Sequence, residues 1–123
     1  MTDPGSVMVK LDTLATELDQ RSKELADTER LLEPVEAEYE EKVGDWEAAL
    51  WEESQLTETK WPPEKLRQRM AHRALDPKLL GSVFALIAKR KRLEKRIASL
   101  KVQVDAQRSI LSALKVEMEA SRA

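Results

Sequence analysis

Cysteine is absent from these 123 residues, which excludes disulfides and thiolate metal ligands and fits a reducing compartment. Glycine is almost as scarce, at Gly5, Gly44 and Gly81, and aromatic residues make up 4% of the chain. A compact core of mixed strands and turns needs more of both, so the remaining Ala, Leu, Glu, Lys and Arg point to long helices. No stretch reaches the roughly 18 uncharged apolar residues of a membrane-spanning helix, and residues 1–6 lack a basic flank followed by an apolar run. The reading is therefore a cytoplasmic chain with no membrane partner, in the host cytoplasm if a phage encodes it. His72 is the one histidine, so a metal site would need carboxylates for nearly all its ligands. It reads as a lone surface histidine, and no cofactor is expected.

What is present is a 3,4 spacing of apolar residues. In the last third it runs Leu79, Val83, Leu86, Arg90, Leu93, Ile97, Leu100, Val104, Gln107, Leu111, Leu114, Met118, ten of the twelve apolar. A second seam runs Val7, Leu11, Leu14, Leu18, Arg21, Leu25, Thr28, Leu32, Val35, Tyr39, Lys42, Trp46, Ala49. Pro34 interrupts it without changing its register, which predicts one kinked helix over 6–56, starting at Ser6, rather than two. The tandem prolines of 57–63 mark a linker, 64–75 reads as a short helix, and Asp76-Pro77 caps a final helix over 77–120. The predicted fold is a single all-α domain: a long antiparallel helical hairpin (coiled coil) with a short extra helix at the tip.

Net charge is −2, but residues 1–56 hold 16 acids against 5 bases and residues 57–123 hold 7 against 16, giving −11 and +9. Folding back with paired residue numbers summing to about 125–133 places the basic run at 89–96 opposite the glutamates of 33–41. The same register sets Trp46, Leu50 and Trp51 against Leu79, Leu80, Val83, Phe84 and Ile87, with Leu66 and Met70 from the short helix.

Chemistry-bearing motifs are few. There is no Gly-rich phosphate loop, nucleophile elbow or paired-histidine motif, so an enzyme is not expected. A basic group on the short helix, Lys65, Arg67, Arg69 and Arg73, together with the less constrained Trp61, is the candidate surface for a partner. A second stripe on the last helix, Val102, Ala106, Ser109, Ala113, Val116 and Ala120, lies away from the seam where charged residues would normally stand, and is the candidate self-association face.

The segment 86–119, LIAKRKRLEKRIASLKVQVDAQRSILSALKVEME, joins a basic heptad run to QRSILSALK. It resembles small coiled-coil proteins encoded by bacteriophages, often of unassigned function and sometimes found beside recombination genes, over about a third of the chain. The resemblance implies a non-enzymatic accessory role in a phage or prophage setting and transfers no catalytic residues.

The expected function is a structural or interaction module that docks a protein partner through helix faces, with a homodimer possible. The alternative is an accessory nucleic-acid binder using the basic tip and the 89–96 run, and a third reading has the acidic first helix fill a basic groove on a host protein.

Overall fold

The computed structural model describes residues 3–122, and no strand occurs among them. The fold is all-α, a helical hairpin made of α1 (Pro4–Thr57), α2 (Glu64–Ala74) and α3 (Pro77–Arg122). No helix among the described residues is long and apolar enough to cross a membrane.

Local chemistry sets the helix ends. α1 begins two residues before the expected Ser6: Pro4 takes the first helical position, where its missing N–H costs nothing, and the Val7 N–H donates to the Asp3 carbonyl at 3.1 Å. The helix then continues unbroken through Pro34. It ends in a left-handed residue, Glu58, at φ 53°, with the Thr59 N–H closing back onto the Ser54 carbonyl at 3.0 Å. α3 starts as the sequence predicts, the Asp76 carboxylate accepting from the Lys78 N–H at 3.0 Å ahead of Pro77.

The chain divides into two compact units. Unit 1 joins the residues up to Asp27 with those from Arg90 onward. Its seam is the predicted one: Val7, Leu93, Ile97, Leu100 and Val104 are buried, with Leu11, Leu14, Leu18, Leu25, Leu111 and Leu114 half-buried. Each fully buried large side chain contributes about 1.5–3 kcal/mol, so this row supplies most of the unit's cohesion. Across its edge, Arg96 donates from Nε and Nη2 to Glu17 Oε1 at 2.9 and 2.7 Å. The seam residue Arg21 lies beside the same oxygen at 3.9 Å and donates to Glu24 at 2.7 Å.

Unit 2, Thr28–Lys89, contains α2, the linker and parts of both long helices. Leu32, Ala71 and Val83 are its buried apolar residues, with Thr28 and Ser54 buried polar ones. Two expectations are corrected here. The basic run at 89–96 is expected opposite the glutamates of 33–41, but among the described residues its ion pair to α1 is Arg96 with Glu17 in unit 1, while Arg90 lies 3.9 Å from Glu94 of its own helix. At the tip three of the expected members depart: Phe84 packs on Tyr39, Trp51 is half exposed and packs on Trp61, and Leu66 is 47% exposed, while Trp46, Leu50, Met70, Leu79, Leu80 and Ile87 are half-buried and Val83 buried.

Both differences have one cause. Tyr39 is level with Phe84, and α3 begins seven residues before Phe84, so the last turns of α1 extend beyond the start of α3 and are covered instead by α2 and the linker. Packing from a second side also moves the inward row of α1. After Tyr39 the half-buried or buried residues are Val43, Trp46, Glu47, Leu50 and Ser54, while Lys42 and Ala49 of the expected seam are exposed.

Candidate interaction surfaces

On α2, residues 67 and 71 fall four apart on one side, and the burial of Ala71 with the half-burial of Arg67 identifies that side as the inward one. Arg67 therefore points inward, although the sequence groups it with the surface cations. Its Nη1 donates to the Pro62 carbonyl at 2.8 Å, and its guanidinium carbon lies 4.9 Å from the Trp61 ring centroid. Its Nε is buried without a hydrogen-bond partner, 3.9 Å from Glu47 Oε1. At that separation Glu47 supplies electrostatic attraction rather than a hydrogen bond. Trp61 in turn meets Trp51 edge to face, centroids 5.0 Å apart at 81°. Arg67 and Trp61 thus form a splint that fixes the linker onto α1 and α2.

The other three cations of the group stay at the surface. Lys65, Arg69 and Arg73 are exposed and recur every four residues, about 6 Å apart along the axis of α2. An open trough, lined by none of these three, is formed by Lys60, Trp61, Pro62, Pro63, Leu66 and Arg67. A smaller pocket of about 140 Å³ is lined by Leu50, Ser54, Thr57, Pro62 and Met70 among others.

His72 is not a free surface residue. Its Nε2 is 2.9 Å from the Tyr39 hydroxyl, and its ring lies 6.2 Å from Tyr39 and 5.4 Å from Phe84, which itself meets Tyr39 at 6.1 Å. One ring comes from each helix, so the cluster ties all three together within unit 2. The apolar spacing of Tyr39 in its seam hinted at one member. Nothing in the spacing of α2 marked His72 as its partner.

In unit 1 the face of α3 turned away from the seam carries Val102, Ala106, Ser109, Ala113, Val116 and Ala120, all exposed, with Val102 at 68% and Val116 at 64%. Ile110 at its margin is 39% exposed. Ser109 Oγ is turned onto its own helix, donating to the Asp105 carbonyl at 3.0 Å. This leaves six successive outward positions without a charge.

Among the described residues no group of three or more His, Asp or Glu side chains is placed to hold a metal ion. No protein family, curated protein or solved structure matches the chain.

Proposed function

We propose that this chain is a non-enzymatic structural and interaction module whose helical hairpin self-associates and docks a protein partner through helix faces. The observation that supports it is the uncharged outward face of α3. On a helix with one buried seam, the opposite side is normally the most charged, because it meets only water. Here Val102 and Val116 stand in that position at 68% and 64% exposure with small residues between them, a surface suited to another helix. The phage or prophage setting that the resemblance of residues 86–119 implies is part of the same proposal. Sedimentation equilibrium tests it: the wild type is expected to be oligomeric at tens of micromolar and Ala113→Glu monomeric with unchanged helix content. A wild type that stays monomeric at high concentration refutes the self-association.

A second reading, accessory nucleic-acid binding, is favoured by the exposed row Lys65, Arg69 and Arg73. Unit 2 as a whole argues against a long polyanion, since it holds thirteen acids and nine bases, a balance of −4. Binding of a DNA or RNA oligonucleotide that falls steeply with salt would establish this reading, and none at low ionic strength would remove it.

A further inference from the structure

The outward face of α3 in unit 1 has an order that a random apolar surface lacks. Between Val102 and Val116 it reads Val102, Ala106, Ser109, Ala113, Val116, the same order of side chains in either direction, with Ala120 one step beyond the symmetric stretch. A two-fold contact between antiparallel copies places residue i against residue j and j against i, so a face that reads alike both ways fits itself.

The charged edge of that face follows the same rule. Along it run Lys101, Asp105, Arg108, Ser112, Lys115 and Glu119, again at 4,3,4,3,4 spacing. When two antiparallel copies are related by a two-fold axis that passes between the helices, perpendicular to the plane containing them, each edge meets its own copy reversed. With the axis near residue 110, Lys101 comes level with Glu119 of the second copy and Asp105 with Lys115. The opposite edge brings Gln103 to Glu117 and Ile110 to itself. In one chain the four ionic partners are uncommitted: among the described residues Lys101, Asp105, Lys115 and Glu119 are all exposed and form no ion pair, although Lys101 and Asp105, like Lys115 and Glu119, are four apart. A parallel arrangement loses the Lys101–Glu119 and Asp105–Lys115 pairs, because each edge then meets the other and Glu117 falls between Lys115 and Glu119 of the second copy, attracting one and repelling the other.

We infer that the occupant of this face is a second copy of the chain, lying antiparallel with α3 against α3 and a two-fold axis near residues 109–110. The inference rests on the self-association proposed above and adds its orientation and register. The small residues Ala106, Ser109 and Ala113 at the centre let the two helices approach closely, and the two valines at each end close the contact.

The absence of native cysteine makes the register directly readable. Full-length single-cysteine variants are oxidised under mild conditions, since a disulfide requires Cα atoms within about 7 Å. Ser109→Cys is expected to cross-link to itself. Val102→Cys and Val116→Cys are expected to fail alone and to cross-link when mixed. A charge test accompanies them: Lys101→Glu is expected to weaken the dimer several-fold, and adding Glu119→Lys in the same chain to restore it. Self-linked Val102→Cys in a protein that sediments as a dimer overturns the antiparallel register while leaving self-association intact. A dimer that none of the three cysteines links places the interface elsewhere and overturns the inference. A monomeric wild type removes both.

Discussion

Replacing Glu58 by glycine should stabilise the protein, and the size of the gain follows from one backbone angle. Glu58 sits at φ 53°, in the left-handed region, directly after the last turn of α1. A residue with a Cβ loses about 1–2 kcal/mol there relative to right-handed backbone. Glycine removes that penalty but gives up about 0.5–1 kcal/mol through the greater freedom of its unfolded chain. The net gain is about 0.5–1 kcal/mol, or roughly 2–6 °C in Tm for a chain of this size. The surrounding bonds do not need the side chain: Thr59 N–H reaches the Ser54 carbonyl, and Thr57 Oγ1 donates to the Glu53 carbonyl at 2.8 Å. Glu58 is also an anion at the negative end of a helix, so charge and backbone must be separated. Glu58→Gln removes the charge and keeps the Cβ, and Glu58→Asn tolerates left-handed backbone better than other side chains. Urea unfolding followed by circular dichroism, at one fixed protein concentration, should rank the variants Gly, then Asn, then Gln, with equal slopes. If Gln equals Gly, the effect is electrostatic and the backbone reasoning is wrong.

Other consequences are as direct. Leu100, fully buried in the seam of unit 1, should cost about 2–5 kcal/mol as Leu100→Ala, read in the same denaturant assay. Tyr39→Phe removes the hydroxyl that meets His72 and should cost about 0.5–1.5 kcal/mol; a cost equal to that of Tyr39→Ala would mean the hydroxyl carries all of the ring's contribution. Arg67→Met keeps the packing against Trp61 and removes the buried unpaired Nε, so it should be better tolerated than Arg67→Ala in thermal melts. Glu17→Gln should cost less than about 1 kcal/mol, because the Arg96 side chain is 46% exposed, and the loss should vanish in high salt.

The long helices were legible in the sequence because burial against one partner is periodic, and a 3,4 repeat such as Leu93, Ile97, Leu100, Val104 matches the turn of a helix and not the alternation of a strand. Asp76-Pro77 was equally plain, since a cap is a matter of a few adjacent atoms. The pairing of distant charges was not legible. It depends on how much chain the connection consumes, and α2 folds back over α1 instead of merely bridging to α3. The displacement of Lys42 and Ala49 by Val43 and Leu50 has the same origin: once α2 covers a second side, the inward face of α1 is no longer a single row. At the candidate partner surface, Lys65, Arg69 and Arg73 stood where their spacing put them. Arg67 did not, yet the small Ala71 four residues on, where the face turns inward, carried the signal for its side.

Every residue that weakens a helix interior falls in the same part of the molecule. Pro34, Gly44 and Gly81 all belong to unit 2, together with the left-handed turn at Glu58, whereas the helices of unit 1 run through residues 6–27 and 90–122 without proline or glycine. Neither Gly44 nor Gly81 has a neighbour that a methyl group would touch, so no packing requirement holds them there. Away from the fraying helix ends, amide protons of α1 and α3 should consequently exchange with solvent deuterium earliest between residues 34 and 57 and around residue 81. The slowest should lie along residues 93–104, so that the molecule opens in stages rather than all at once.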